Sequence, residues 1–239
     1  TNINAGTVAL SGSGVLPSGG NVTIAGGTLD LGTTNLSAGS LTVSAGAITG
    51  NAAITASSYV FTNTGSVSIT QGLSGNSATL SKSGVGTLTL SNTNQYTGAT
   101  TVSGGTLRLG TGGSLASASA LIMTGTSIFD LYGNSQSIAS LTGATGNTVL
   151  NSKVSTASTL TVVGGTTTYA GVIVDNAGTG GSVALALSGG ALTLSGANTY
   201  TGTTTINGGT LHISNNTGLG SNSGGAVTIN AGATLDLVS

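Results

Sequence analysis

The chain alternates apolar residues with threonine or serine in many short runs. A period of two places aliphatic side chains on one face of an extended segment and hydroxyl groups on the other, which is the signature of a β-strand. The pattern predicts strands at residues 22–24, 41–43, 67–69, 88–90, 160–162, 192–194 and 227–229. No stretch of the sequence has the 3.6-residue period of a surface helix. We therefore predict an all-β fold.

A longer unit surrounds these runs. It consists of an apolar residue, a small polar residue, Gly-Gly or Ala-Gly, usually threonine, and then an apolar-x-apolar run. Good copies begin at Ile3, Ile24, Val102 and Ile206, and weaker ones at Val43 and Ile229. Neighbouring copies lie 21, 19 and 23 residues apart. A repeat of about 20 residues with strand-like runs predicts a parallel β-solenoid, in which each repeat is one coil and bonds to the next coil about 4.8 Å away.

Two copies of a still longer repeat are present. Residues 86–110 and 190–214 share 15 identities in 25 positions, at an offset of 104 residues. The stretch 82–110 contains Lys-x-Gly-x-Gly-Thr-Leu-x-Leu, Asn-x-Tyr-Thr-Gly and Gly-Gly-Thr-Leu. The second copy, 189–214, lacks the lysine and ends in Ser214 instead of glycine.

These motifs resemble the autotransporter-associated β-strand repeat, which occurs in passenger domains of Gram-negative autotransporters. The resemblance implies a right-handed parallel β-helix that is exported to the cell surface, and thus an extracellular or outer-membrane-associated location. We predict a single β-solenoid domain over residues 1–239, with the long copies at 82–110 and 189–214.

The small number of charged residues excludes some classes of binding partner. The 239 residues include three basic side chains, Lys82, Arg108 and Lys153, and four aspartates, for a formal net charge of −1. Nucleic-acid binding requires a row of cations, and membrane-surface binding a polybasic segment, so we predict neither partner, nor membrane insertion. A surface with so little charge favours self-association, or contact with neighbouring repeats.

The aspartates are the first candidates for chemistry. The variable position between the two apolar residues of the short unit holds Ala9, Asp30, Arg108 and His212 in successive good copies. A position that accepts all four is predicted to face solvent, and Asp130 and Asp236 lie in similar apolar surroundings. Glycoside hydrolysis needs two carboxylates within about 5–9.5 Å. Asp30, Asp130 and Asp236 are 100 and 106 residues apart, or roughly 24 Å at one coil per 4.8 Å.

Other candidates for catalytic, cofactor or metal sites are weaker still. His212 is the one histidine and the chain has no cysteine, so the sequence offers no zinc ligand set. The run from Gly26 to Asp30 partly resembles a calcium-binding nonapeptide, but it lacks the third glycine and is not repeated in tandem. The sequence therefore predicts no catalytic residue, no cofactor and no metal.

Tyrosines suggest an alternative. Tyr96 and Tyr200 are equivalent in the two long copies, which predicts packing at a turn, with each hydroxyl reaching a backbone partner or solvent. A platform that stacks against sugars is the other interpretation, and Tyr59 with Phe61 is a second candidate for it.

The functional prediction is a non-enzymatic extracellular protein, structural or adhesive, that forms a passenger-like stalk or a fibre able to self-assemble end to end. Its expected partners are further repeats and, beyond them, surface glycans or a host surface. The alternative is a polysaccharide-binding or polysaccharide-cleaving β-helix protein. Clustering of Asp175 with another carboxylate, or of Tyr59, Phe61 and Tyr96 in one groove, would favour that alternative.

Overall fold

Parallel strands make up the regular structure of the chain. The computed structural model describes residues 1–11, 14–176, 181–221 and 225–238, and these ranges contain strands, turns and bends but no α-helix. Accordingly, the described residues include no helix that could cross a membrane. The strands form about 11 turns of a β-solenoid with roughly 21 residues per turn, which confirms the predicted fold class.

The chain divides into two compact units, Thr1–Ala116 and Ser117–Ser239. Whether residues 1–239 act as one domain stays a prediction. The strands of the first unit are β1 (Asn2–Ile3), β2 (Thr7–Ala9), β3 (Val22–Asp30), β4 (Leu36–Thr49), β5 (Ile54–Phe61), β6 (Val67–Ile69), β7 (Leu73–Ser74), β8 (Thr79–Lys82), β9 (Thr87–Leu90), β10 (Thr100–Val102) and β11 (Gly105–Leu109). Those of the second unit are β12 (Leu121–Met123), β13 (Ser127–Asp130), β14 (Gln136–Ile138), β15 (Leu141–Gly143), β16 (Thr148–Leu150), β17 (Ser158–Val162), β18 (Thr166–Tyr169), β19 (Val172–Ile173), β20 (Val183–Leu187), β21 (Ala191–Leu194), β22 (Thr204–Ile206), β23 (Thr210–Ile213), β24 (Val227–Ile229) and β25 (Thr234–Leu237).

In the first unit, the longest run of paired strands is β1, β3, β4, β5, β8 and β10, and β6, β9 and β11 form a second face. Pairing in register stacks equivalent residues of successive turns into columns. One inward column consists of Ile3, Ile24, Val43, Phe61, Lys82 and Val102. All six side chains are buried. Burial of an aliphatic or aromatic side chain contributes roughly 1.5–3 kcal/mol, so the column stabilises the stack without surface charge.

The second unit has the same construction on three faces, formed by β12-β15-β18-β21-β23-β25, by β13-β16-β19 and by β14-β17-β20-β22-β24. One inward column consists of Val162, Leu187, Ile206 and Ile229, and another of Tyr169, Leu194, Ile213 and Leu237. The first three members of each column are buried, whereas Ile229 is 49% and Leu237 is 68% exposed. The last described turn therefore presents its inward face to solvent.

The Gly-Gly pair of the short unit is required by the backbone. The second glycine has a positive φ in both long copies, 62° at Gly105 and 77° at Gly209. A Cβ there would lie 2.3 Å from the carbonyl oxygen of Gly86 in the first copy and 2.2 Å from that of Gly190 in the second. Because both the left-handed conformation and the close stacking exclude a side chain, glycine is the residue that fits.

Candidate functional site

Each long copy contains a corner formed by its Asn-x-Tyr-Thr-Gly motif. In the first copy, Asn94 is 3% exposed. Its Oδ1 accepts a hydrogen bond from the backbone N–H of Leu73, at 3.0 Å, and its Nδ2 donates to the carbonyl oxygen of Ser114, at 2.7 Å. Leu73 belongs to the preceding turn and Ser114 to the following one, so a single carboxamide joins three turns.

The second copy repeats this corner. Asn198 is fully buried; its Oδ1 accepts from the N–H of Ile173 at 2.8 Å, and its Nδ2 donates to the carbonyl oxygen of Gly218 at 2.7 Å. A buried polar group costs free energy unless it is hydrogen-bonded, and here both ends of the amide are used. Sequence analysis assigned no role to this asparagine, although its repetition at an offset of 104 residues was a usable signal.

The motif tyrosines pack inside the solenoid, as predicted, but their hydroxyl partners are side chains. Tyr96 and Tyr200 are fully buried. The hydroxyl of Tyr96 bonds to Oγ1 of Thr100 at 2.7 Å, and that of Tyr200 to Oγ1 of Thr204 at 2.6 Å. Burial raises the pKa of both phenols above the ordinary value, with the threonine hydroxyls acting in the opposite direction.

The proposed sugar-stacking platforms are wrong, because the aromatic rings are not accessible. Tyr59, Phe61 and Tyr96 are all fully buried, and the ring centroids of the two tyrosines are 6.1 Å apart within the core. The hydroxyl of Tyr59 donates to the carbonyl oxygen of Ile54 at 2.9 Å and accepts from the N–H of Ser74 at 3.0 Å. Burial raises the pKa of Tyr59 to about 12. These residues fill the interior and form no sugar-binding groove.

Lys82 is the unexpected member of the interior. It lies between Phe61 and Val102 in the inward column and is fully buried. Its Nζ donates to the carbonyl oxygens of Gly84 and, at 3.2 Å, of Gly104. Burial lowers the pKa of Lys82 below its ordinary value. The alternation Leu80-x-Lys82 could have indicated this position, because residues two apart on a strand share a face.

In the second copy, the same place in the column belongs to Leu187, which lies between Val162 and Ile206. Leu187 is 1% exposed. One ammonium nitrogen bound to two carbonyl oxygens in the first copy is therefore matched by an aliphatic side chain in the second, so the solenoid does not need a cation at this position.

Asp130 corrects the prediction that the aspartates face solvent. It is 1% exposed. Its Oδ1 accepts from the N–H groups of Tyr132 and Ser152, both at 3.0 Å, and its Oδ2 accepts from Oγ of Ser152 at 2.6 Å. The carboxylate links the loop that follows β13 to the next turn of the solenoid, which is a structural role. The apolar neighbours in sequence did not reveal this burial because Asp130 is at the end of its strand.

The carboxylates of Asp30 and Asp175 also accept hydrogen bonds from backbone N–H groups. Asp30 is half-buried, and its Oδ1 accepts from the N–H of Gly32 at 3.1 Å. Asp175 accepts from the N–H of Val183 at 2.7 Å and from the N–H and hydroxyl of Thr201. Among the contacts described for Asp175, none is with a second carboxylate.

His212 lies in β23 and contacts an aspartate that sequence analysis did not assign to it. It is in register with Asp236 of the next turn, and its Nδ1 lies 2.7 Å from Oδ2 of that residue. Both side chains are partly exposed, 32% for the histidine and 47% for the aspartate. Thr193 is the register neighbour of His212 on the other side. No hydrogen bond between that threonine and the histidine occurs in the described structure, so a nucleophile-base-acid arrangement is not formed.

In the ranges that the structure describes, no three His, Asp or Glu side chains lie close enough to share a metal ion. Asp130 ends β13 and Asp236 lies in β25, on a different face of the second unit. Their 106-residue separation corresponds to about five turns, or roughly 24 Å along the stack. Asp130 and Asp236 are thus too far apart to act together as the acid and base of a glycosidase.

Comparison with known proteins supports the resemblance that the motifs suggested. A family model described as the passenger-associated-transport-repeat matches residues 80–109 and 187–213. A curated relative, "Adhesin BmaC autotransporter" of Brucella suis biovar 1 (strain 1330), is 39% identical over 143 residues, which is 56% of this chain. The chain spans 4% of the length of that relative. No solved structure matches.

The two matched ranges contain the two asparagine corners, and each begins in the strand that leads into its copy of the repeat. The predicted location, at the surface of a Gram-negative cell, agrees with both comparisons and is confirmed. Two ranges of the chain therefore match the passenger-associated-transport-repeat, and the resemblance to autotransporter passenger repeats predicted from its sequence is confirmed.

Proposed function

We propose that this chain is a non-enzymatic, adhesive part of a surface passenger, in which a uniform interior supports a variable exterior. The observation that carries the proposal is that the buried residues of the repeat hold the turns together while its outward position varies. Buried side chains such as Asn94 and Asn198 bond one turn to another. The outward position of the short unit holds Ala9, Asp30, Arg108 or His212 without a change in fold. An extended surface whose outward residues are free to differ is suited to recognition.

The relative named an adhesin supports the same function, and a binding role fits the chemistry of the described side chains better than an enzymatic one. Asp130 and Asp175 are bound to turns, and Asp236 pairs with His212. A polysaccharide-cleaving enzyme requires two carboxylates that face the same bond of a substrate. The hydrogen bonds of these aspartates to turns and to His212 support the choice of a binding function over a cleaving one.

Adhesion can be tested with beads that carry the purified chain, applied to cultured epithelial cells and to wells coated with extracellular matrix. We expect the beads to be retained above the level of beads that carry a heat-denatured sample. The same preparation should release no reducing ends from a polysaccharide panel. Retention no higher than that of the denatured control would contradict the adhesive function, and release of reducing ends would contradict the non-enzymatic one.

We further propose that the last turn allows end-to-end association with a second copy. A cavity of about 530 Å³ opens beside this turn and is lined partly by Ile213, Leu219, Leu237 and Val238. The exposed apolar column is the kind of surface that stacking of another turn would cover. The first turn of a second copy is a suitable occupant, because residues 3–6 and 229–232 have the same sequence, Ile-Asn-Ala-Gly.

Sedimentation velocity over a range of protein concentrations tests this association. We expect the wild-type chain to form larger species as concentration rises, and Leu237→Lys to remain monomeric because a charge would be buried in the contact. Val85→Lys is a control, since Val85 is 78% exposed and lies in a turn. A wild-type chain that stays monomeric at high concentration would overturn the proposal.

A further inference from the structure

A groove crosses three successive turns of the first unit. It is lined by residues 51–53, 72–74, 92, 93 and 95 and has a volume of about 260 Å³. Its lining residues include Asn51 on the first of the three turns and Asn92 and Gln95 on the third, which we call its walls, and the buried Ala52 and Leu73, which we call its floor. We call it the carboxamide groove. It contains none of the charged or aromatic side chains of the chain.

Two of the three carboxamides are available to a ligand. Asn51 and Gln95 are exposed, and neither side chain makes a hydrogen bond to any residue that the structure describes. Asn92 is used internally, because its Nδ2 donates to the carbonyl oxygen of Thr70 at 2.9 Å and its Oδ1 accepts from the N–H of Thr93 at 2.8 Å. The groove thus has unused amide donors and acceptors on both walls.

The second long copy shows that the fold does not require these carboxamides. Asn94 and Tyr96 of the first copy recur as Asn198 and Tyr200, but the residues around them differ. The equivalents of Asn92, Thr93 and Gln95 are Gly196, Ala197 and Thr199. Because the second corner forms without them, the groove side chains of the first corner are not explained by the architecture of the solenoid.

Backbone groups of the floor are already bonded, which limits the kind of ligand. The N–H of Leu73 donates to Asn94, that of Ser74 to the hydroxyl of Tyr59, and that of Ala53 to Oδ1 of Asn35. An extended peptide could not add to the groove as another strand, since strand addition needs free main-chain groups. Recognition must come from the side-chain amides and from the small apolar floor.

We propose that the carboxamide groove binds a short stretch of neutral saccharide. A carboxamide can both donate to and accept from hydroxyl groups, and the lack of charge disfavours anionic or cationic ligands. The groove, at about 260 Å³, is slightly smaller than the roughly 300–1,000 Å³ of most small-molecule pockets, so it suits one or two sugar rings rather than a long chain. The inference rests on the adhesive function proposed above and specifies one ligand class for it.

The test uses the full chain, the variant Asn51→Ala/Gln95→Thr, and Thr199→Ala as a control at the equivalent position of the second copy. Gln95→Thr introduces the residue that the second copy itself has there. Ligand-observed NMR titrations would use neutral trisaccharides of glucose, galactose, mannose and N-acetylglucosamine. A heparin trisaccharide and an extended hexapeptide serve as the charged and peptide probes.

We expect at least one neutral trisaccharide to bind the wild type and the control equally. The double variant should bind it roughly thirtyfold more weakly, since it loses two carboxamides of about 1 kcal/mol each and every step of about 1.4 kcal/mol is a factor of ten. No binding by any neutral probe, equal binding by the double variant, or preference for heparin or the peptide would each overturn the inference. Bead adhesion distinguishes the two proposals: if the beads still adhere in any of these cases, the adhesive function stands and the groove assignment fails.

Discussion

The two long copies of the repeat have similar interiors and different exteriors. Asn94 and Asn198 join neighbouring turns through the same pair of side-chain hydrogen bonds. The hydroxyls of Tyr96 and Tyr200 each form a hydrogen bond with a threonine four residues later. The outward residues Gln95 and Thr199 differ. This contrast indicates that the stacking of turns constrains the buried side of the repeat, while the outer side is free to vary.

One difference lies inside. Lys82 of the first copy and Leu187 of the second occupy the same place in an inward column. The ammonium group of Lys82 donates to two carbonyl oxygens. The short segment between Lys82 and Gly86 is one residue longer than the equivalent segment between Leu187 and Gly190. The extra residue is Val85, which is exposed. We infer that the longer segment is what positions the carbonyl oxygen of Gly84 beside the lysine, while that of Gly104 comes from the next turn of the solenoid.

The largest predicted effect comes from moving the lysine to the other copy. Leu187→Lys should lower the free energy of unfolding by about 4 kcal/mol, because it buries a cation beside the shorter segment. Urea denaturation measures this change. Leu187→Met is the matched control and should cost less than about 1.5 kcal/mol. If Leu187→Lys costs no more than the methionine control, the second copy also has carbonyl oxygens placed for an ammonium group, and our account of the longer segment is wrong.

The next effect tests whether the two corners are equivalent. Asn94→Ala and Asn198→Ala should each lower the free energy of unfolding by about 2–3 kcal/mol, because the N–H of Leu73 or of Ile173 would be left buried without its partner. Urea denaturation of both variants gives the comparison. Thr199→Ala, at an exposed site, should change stability by less than about 0.5 kcal/mol. A large loss in one copy only would show that the repeated corner does not have the same role twice.

The pH dependence of the free energy of unfolding tests the buried lysine in the first copy itself. Because burial lowers the pKa of Lys82, the unfolded chain binds more protons than the folded one in the interval below its ordinary pKa of 10.5. Stability then rises with pH through that interval. The free energy of unfolding of the wild type, minus that of Lys82→Leu, should therefore increase from pH 7 to pH 10.5. The tyrosines are common to both proteins and cancel in the difference, so a flat curve would mean that the carbonyl oxygens fully compensate the charge.

Smaller losses are expected from the tyrosine hydroxyls. Tyr96→Phe and Tyr200→Phe each remove one bond to a threonine hydroxyl and leave the ring in place, so each should cost about 1 kcal/mol. Thermal and urea denaturation can resolve this loss. Adding Thr204→Val to the second variant should cost little more, since the partner of the missing hydroxyl is then removed as well. A loss that differs clearly between the two tyrosines would indicate different packing around the rings.

How much of this could be predicted from the sequence depends on which side of the strand a residue occupies. Period-two alternation predicts the strands at 22–24 and 192–194 correctly, because burial of one face is what selects that pattern. The alternation also places Lys82 on the inward face. Its burial was nevertheless not predicted, because lysines in proteins are almost always exposed. The burial of Asp130 depends on hydrogen bonds to Ser152, in the next turn, and no local pattern contains that contact.

The candidate groove could not be predicted for a related reason. Asn51 and Gln95 are 44 residues apart in sequence and come together only because successive turns stack. Once the length of each turn is known, the residues that line one corner can be identified. Turn length in this chain varies, however, with 18 residues between Val43 and Phe61 and 21 between Phe61 and Lys82. A fixed 20-residue repeat would misalign the walls of the groove.

The smallest effect concerns the exteriors of the two copies. His212→Gln and Asp236→Asn should each change the free energy of unfolding by less than about 1 kcal/mol, because the pair is partly exposed and solvent screens it. Arg108, the first-copy equivalent of His212, offers the matched variant Arg108→Gln in the other unit. Denaturation at low and high salt should show that the contribution of the histidine pair decreases as salt increases. A cost above 2 kcal/mol that persists at high salt would mean that the outer face also helps to hold the turns together, and the contrast between a constrained interior and a variable exterior would fail at the second copy.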